Sequence, residues 1–567
     1  MASACSGDFN FAGRDYSVEL LEGGWLSLRV GGRRFADLRL ASAVNGPGGA
    51  ADITGELTGP AVSGFESGVR AVWRASGSLW EEKHFILECR PEGLVYRVEV
   101  EGRGKIGEVE YFSGEGSGAP SSLYRFDRLF TPEVSLLDRR YLSPQEYACI
   151  DAASGETAPF PVPSAGNAHW IFTPPPLAFA WSRGGCGPWL GVGPAPAPGE
   201  YRFTRFQHWP VANCFKLRLT YDGMTRVDGV WGSPPLLLLP ARDEYGAVER
   251  CVSWIYANGL ASRPDRAGRP EWWSRPIFCG WGQQNVTAAA RGNSAADWSR
   301  QDVYEEFMQM LKERGVSPGT VIIDDKWQKR YGTLEVDREK WPDLRGWISG
   351  QHARGRRVLL WLGAWSPEGL PAGECICRAD TGEPVAADPS SPEYEARLRG
   401  AIRALLSDAP GCCDADGFKV DWTNGLPFGE GFMLAGDTWG IELLKRLAWI
   451  IYDEAKRVKP DALVITHMAN PYFADVTDML RLNDISYLQR GVCEIMRHRQ
   501  RLALIACPDW LIDCDNSSAP THEEWLEYMM LQPELGVPSL YFITGVDGTG
   551  EPIPLEDWQR IPSVWRG

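Results

Sequence analysis

Short runs of alternating apolar and polar residues fill the first part of the chain. Tyr16-Ser17-Val18-Glu19-Leu20, Trp25-Leu26-Ser27-Leu28-Arg29-Val30 and Leu94-Val95-Tyr96-Arg97-Val98-Glu99-Val100 are examples. Successive strand side chains point to opposite faces, so this period of two predicts half-buried strands, and the Gly, Pro and Asp residues between the runs predict turns. No long amphipathic helical pattern interrupts them up to about residue 245. A segment built only of such strands buries its apolar faces as an antiparallel β-sandwich. The proline-rich pieces Pro159 to Pro163 and Pro174-Pro175-Pro176 predict long loops.

The pattern then changes. Asp243 to Asn258 carries a helical period, and the polar tract Ser262 to Arg269 follows it as a linker. From Pro276 onward, apolar strands alternate with helices. The predicted strands are 277–282, 320–325, 356–362, 417–422, 462–468, 479–484, 502–507 and 537–543. Between them, Val303, Phe307, Met310 and Leu311 form one helical stripe that Gly315 ends. Ile441, Leu444, Ala448, Ile451 and Ala455 form another. Ser391 before Pro392 reads as an N-cap with a first-turn proline, and Thr521 with Glu524 as a capping box. Eight parallel strands with crossover helices in roughly 290 residues predict a (β/α)8 barrel, whose usual size is about 250. The expected organisation is an N-terminal β-sandwich domain (1–245), a helical linker (246–275) and a TIM barrel (276–567).

Composition narrows the chemistry. A formal net charge of −16 argues against nucleic acid or an anionic membrane surface as partner, and leaves neutral ligands such as sugars. No apolar run approaches the ~18 residues of a membrane span, since Leu236-Leu237-Leu238-Leu239 is short and flanked by prolines. The opening Met1-Ala2-Ser3-Ala4-Cys5-Ser6-Gly7-Asp8 is small and polar rather than a basic and apolar export signal. The 14 cysteines then read as reduced, mostly buried thiols of a cytoplasmic protein. The chain is rich in tryptophan, with 25. Part of that is core; flat rings also stack on the apolar faces of pyranoses.

In a parallel barrel the functional residues stand at the C-terminal strand ends. Those ends offer Trp281, then Asp324-Asp325-Lys326-Trp327, then Trp361 and Trp365. Next come Lys419, Asp421 and Trp422, His467 and Asn470, Arg481 and Asp484, and Asp509, Trp510 and Asp513 after the seventh strand. A lone strand-end Asp is more often a helix cap than a catalyst, and His467 is as often structural as a ligand. Acids and aromatics at nearly every end are harder to derive from turn chemistry. Two strand-end carboxylates, Asp421 and Asp484, are what nucleophilic and acid/base chemistry on sugars requires.

The run Lys419-Val420-Asp421-Trp422, the pattern Asp324-Asp325-x-Trp327 and Arg481-x-x-Asp484-Ile485, in that order, resemble the α-glycosidase clan of glycoside hydrolase families 27, 31 and 36. The α-galactosidases of families 27 and 36 are the most similar, with family 36 first. The resemblance implies a retaining, exo-acting α-glycosidase acting on an oligosaccharide or glycoside. In it Asp421 is the nucleophile and Asp484 the general acid/base. It makes Asp324 and Asp325 ligands of sugar hydroxyls, with Lys419 and Arg481 on ring hydroxyls. Trp281 and Trp327 wall the pocket. By strand-end position alone, Trp365, Trp422 and His467 are added to the expected substrate-binding set. Lys419 beside Asp421 would keep the nucleophile ionised, whereas Asp484 needs a raised pKa against the pull of Arg481.

The chain departs from that pattern. Thr466-His467-Met468-Ala469-Asn470-Pro471 replaces a glycine- and cysteine-rich motif on the fifth strand, and Trp422-Thr423-Asn424 follows the fourth. No cofactor and no metal are expected. The seven histidines include no His-x-His or His-x-x-x-His pair, and Cys375-Ile376-Cys377 and Cys412-Cys413 have the wrong spacing for zinc. Asp513-Cys514-Asp515 reads as a solvated acidic loop before it reads as a cation site. Gly545, Gly548 and Gly550 read as a turn without a basic neighbour for phosphate. The alternatives left open are a transglycosylase, an α-glucosidase- or α-xylosidase-type hydrolase with the same two Asp residues, and a catalytically silent carbohydrate-binding barrel. A homo-oligomer is also left open.

Overall fold

The computed structural model describes residues 9–113, 121–132, 140–151, 173–184, 187–264, 268–485 and 490–564. The predicted loop Pro159 to Pro163 lies outside them.

The N-terminal part is an antiparallel β-sandwich. Its predicted strands stand at Tyr16–Leu21, Trp25–Val30 and Gly93–Tyr111. The last pairs with Cys214–Gly232, with a register shift between Thr220 and Thr225. Burial alternates residue by residue along much of Cys214–Gly232, the signature of a sheet with one face in the core. The helix Glu244–Ala257 starts where its sequence says, with the Asp243 side chain accepting from Gly246 N. It packs on the strand Trp189–Pro194, where Gly191 is required: a Cβ there would stand 2.4 Å from the Ala247 carbonyl.

The C-terminal part is a closed barrel of parallel strands: Ile277–Cys279, Thr320–Ile323, Arg357–Gly363, Gly417–Asp421, Leu463–Thr466, Met479–Arg481, Leu511–Cys514 and Val537–Leu540. Every core position from Thr320 to Ile323 is buried, as expected of strands covered by helices on one side and barrel packing on the other. The helices Gln301–Glu313, Pro392–Leu406, Ile441–Val458 and His522–Leu535 sit on their predicted segments, and the Ser391 and Thr521 side chains accept from Tyr394 N and Glu524 N.

One strand was misplaced by sequence. Residues 502–507 complete the helix Val492–Ala506, and the seventh strand is Leu511–Cys514. Arg499, Leu502, Ala503 and Ala506 are buried along one helical face. A short apolar run satisfies both periods, and the residues before it decide for helix. The first strand also ends early, at Cys279, so Trp281 opens the helix Trp281–Arg291 instead of closing a strand.

The sandwich meets the barrel near the end of the fifth strand. Thr173 N donates to the His467 carbonyl at 3.1 Å, and Asn470 Nδ2 donates to the Pro175 carbonyl at 2.9 Å. Tyr201 and Tyr472 stack with ring centroids 3.9 Å apart. The N-terminal part thus buttresses a loop that carries predicted site residues.

Candidate active site

The C-terminal strand ends converge on Arg481, whose side chain is 1% exposed. Its Nη1 lies 3.1 Å from Asp421 Oδ1, its Nη2 donates to Asp484 Oδ1 at 2.8 Å, and its Nε donates to Asp515 Oδ2. One planar guanidinium thereby holds three carboxyls, each on a different edge. The Asp421 and Asp484 oxygens lie no more than about 8 Å apart, the two contacts added to the width of the guanidinium.

Asp421 closes the fourth strand with a partly accessible carboxylate, its side chain 19% exposed. Oδ1 accepts from Trp422 N at 2.9 Å and Oδ2 from Trp361 Nε1 at 3.1 Å. Burial by itself would raise its pKa; Arg481, His467, Lys419 and the Trp361 hydrogen bond outweigh it and hold the carboxyl well below the usual range. Asp484 goes the other way. Burial, with repulsion from Asp515 and Asp421, overcomes Arg481 and Lys419 and pushes it up to about 7. The two carboxyls therefore titrate far apart, one ionised and the other able to carry a proton near neutrality.

A second layer sits beneath. Lys419 Nζ donates to Asp324 Oδ2 at 2.8 Å, and Cys279 Sγ lies 3.0 Å from the same oxygen. Asp324 Oδ1 accepts from Asp325 N at 2.9 Å. Lys419 is thus the partner of Asp324; the direct partner of Asp421 is Arg481, because Lys419 points inward across the barrel. Asp325 accepts from the Tyr331 hydroxyl at 2.8 Å, and burial above all pushes its carboxyl up to about 7. Burial and Asp515 raise Asp513 likewise to about 7.

Aromatic rings close one side. Trp361 and Trp422 meet edge-to-face at 4.8 Å, and Tyr331 packs edge-on against both, at 5.8 and 5.2 Å. Gly363 makes this possible, since a Cβ there would lie 2.7 Å from the Trp361 ring and 2.8 Å from that of Trp422. Trp422 is 41% exposed and is held in the left-handed region at φ 58°. Strained strand-end backbone of this kind collects at functional sites.

Not every expected residue reaches the surface of the site. Trp327 is fully buried, with Nε1 donating to the Trp361 carbonyl at 2.8 Å, and Trp365 is buried with Nε1 on the Thr423 carbonyl at 3.0 Å. Both support the site from below instead of walling it. His467 is also buried: Nε2 is 2.8 Å from Thr423 Oγ1 and 3.9 Å from Asp421 Oδ1, and Nδ1 is 3.1 Å from Asn483 Nδ2. It stands behind Asp421, 3.9 Å from its carboxylate. Trp281 is half-buried at the first turn of its helix.

Sequence reasoning left Tyr331, Asp515 and Asn483 out of the site. Tyr331 and Asp515 lie beyond strand ends, in segments without a periodic signal. Asn483 showed one usable sign, a residue tolerant of left-handed backbone just before Asp484, and its φ is 70°. Among the described residues no group of three or more His, Cys, Asp or Glu is arranged to hold a metal ion. No helix among them is long and apolar enough to cross a membrane.

No protein-family model matches the sequence, nor does any curated protein. Solved structures do match in fold. A family 36 α-galactosidase, AgaA of Geobacillus stearothermophilus in complex with raffinose, has a TM-score of 0.55 at 12% identity, covering 99% of this chain and 86% of that one. A family 31 sulfoquinovosidase from E. rectale has 0.59 at 12%, covering 96% and 82%. The α-galactosidase TtGalA of Thermus thermophilus, in complex with stachyose, has 0.52 at 14%, covering 91% and 98%.

Proposed function

We propose that this chain, whose sandwich-and-barrel fold is that of the family 31 and 36 glycosidases, is a retaining, exo-acting α-glycoside hydrolase of α-galactosidase-like specificity. The observation that carries the reading is the pairing of Asp421 and Asp484 on one guanidinium with opposite titration. Asp421, kept ionised, attacks the anomeric carbon and forms an aspartyl glycosyl-enzyme. Asp484, protonated near neutrality, donates to the leaving oxygen, then takes a proton from the water that hydrolyses the ester. Roughly 5–5.5 Å between the carboxyls characterises this chemistry; the shared guanidinium, which bounds the two contacting oxygens at about 8 Å, brings the pair to one sugar-sized opening, and the choice of retention rests on their opposite titration.

Asp325 and Asp324 take sugar hydroxyls, Asp325 with its Tyr331 neighbour nearer the opening. Trp422 and Tyr331 give the apolar face a surface to lie on. The buried cations Lys419 and Arg481 are already engaged by carboxyls. That acidic surrounding supports an uncharged α-hexoside over a sulfonated or uronic one. The complexes of AgaA with raffinose and TtGalA with stachyose support the α-galactoside choice by likeness of fold.

The test is a panel of aryl α-glycosides, with the first product followed by NMR. Turnover of an α-galactoside with the α-anomer released first is expected. The β-anomer appearing first refutes retention, and no turnover on any α-glycoside refutes the hydrolase reading.

A further inference from the structure

Asp484 stands on a piece of backbone held by a residue that is not on any strand. Arg499, on the helix Val492–Ala506, is fully buried. Its Nη1 donates to three successive carbonyls: Leu482 at 3.0 Å, Asn483 at 2.7 Å and Asp484 at 2.8 Å. Carbonyls alternate in direction along an extended strand. Three in a row can meet one nitrogen only where the chain curls, and here it curls through Asn483 at φ 70°.

The curl decides where Asp484 points. The sixth strand ends at Arg481. Two residues later the turn brings the Asp484 carboxyl back onto Arg481 Nη2, while Asp484 N donates to the Asn483 side chain at 2.9 Å. Asn483 is tied in turn to His467. Left without that donor, the buried carbonyls would each lose a hydrogen bond that is expensive to leave unmade. An extended arm would carry Asp484 off the guanidinium and away from Asp421.

Resting on the acid/base role proposed above, we infer that Arg499 is a positioning residue for Asp484. It shapes the arm through its backbone carbonyls and touches no substrate. Its loss therefore weakens proton donation while sparing attack by Asp421. This separates it from a residue that only stabilises the barrel, whose loss would lower every rate together.

The experiment compares wild type, Asp484→Ala, Arg499→Met and Arg499→Lys on aryl α-glycosides of graded leaving-group pKa. Circular dichroism and thermal melting establish the folded fraction of each. For Arg499→Met, kcat/KM on a poor leaving group should fall at least about 10-fold, with less than about a 3-fold change in kcat/KM on a dinitrophenyl glycoside. Arg499→Lys, which keeps a donor of shorter reach, should lie between. If Arg499→Met does not fold, the Lys variant carries the comparison with the same selective loss at smaller size. An equal fall on good and poor leaving groups, or no fall, overturns the inference. Failure of the functional reading looks different: wild type then turns over no α-glycoside, or Asp484→Ala shows no leaving-group selectivity.

Discussion

Trp361 donates its indole N–H to Asp421 Oδ2 at 3.1 Å, tying the end of the third barrel strand to the end of the fourth. The bond is one of four influences that hold this carboxyl below its usual range. Trp361→Phe keeps most of the ring and removes the donor. With a hydrogen bond to a charged group lost, kcat/KM should fall about 10- to 100-fold. The acid limb of the kcat/KM profile should also move to higher pH, since Asp421 is then easier to protonate. An unmoved acid limb would dissociate the indole from Asp421.

The pH profile of the wild type follows from the two carboxyls. Asp421, depressed, is ionised across the neutral range. Asp484, raised to about 7, loses its proton as pH climbs through that value. Hydrolysis of an unactivated α-glycoside should therefore decline on the alkaline side near pH 7. On an activated glycoside, Asp484→Asn should retain kcat/KM and flatten that limb. A limb unchanged in the variant would assign it to another group, with Asp325 the next to examine.

Removing the nucleophile should be close to lethal for turnover. Asp421→Ala is expected to keep less than a few per cent of wild-type kcat on every α-glycoside, good leaving groups included. Asp484→Ala should keep its kcat/KM on good ones. Rates measured on purified, folded variants distinguish the roles, and an Asp421→Ala enzyme retaining more than that disproves the assignment.

Lys419 and Asp324 are each about 2% exposed and pair at 2.8 Å. Lys419→Met leaves a buried carboxylate without its cation and should cost about 3–5 kcal/mol in urea unfolding. Adding Asp324→Leu should return part of that stability. Activity should not return, because Asp324 is proposed to hold a sugar hydroxyl. Recovery of activity in the double variant would remove Asp324 from the site.

Far from the site, at the opposite end of the fourth strand, Asp416 is buried and accepts from His352 Nε2 at 2.7 Å and Val358 N at 2.8 Å. Burial would raise its pKa, but His352, Lys459 and the Val358 N–H outweigh it and lower it. A depressed carboxyl adds stability that is complete above its unfolded pKa, ~3.9, and is lost as pH falls through the folded value. Asp416→Asn should therefore lower stability by about 1–3 kcal/mol at pH 7. Its difference from wild type should shrink toward pH 3, and a constant difference would mean that the charge of Asp416 is not what matters.

What the sequence determined by itself was the order of elements and the strand ends worth inspecting. Period two in the first part and apolar strands alternating with helices in the second are local properties. Each depends on neighbours within a few residues, as do the caps at Asp243, Ser391 and Thr521. The same reasoning failed at 502–507, where the apolar run fitted either period and the helix was decided by packing of its upstream turns. It also put Trp327 and Trp365 in the substrate-binding set, where the structure buries both; strand-end position alone does not say whether a side chain lies above or below the opening. Only the tertiary structure decided that Lys419 belongs to Asp324, that Arg481 gathers Asp421, Asp484 and Asp515, and that Arg499 curls the arm of Asp484. Apart from Arg481 with Asp484, three residues apart, those pairings join residues from different strands and helices. Their opposite titration comes from burial and from charges brought close by barrel closure, and no window of sequence contains either.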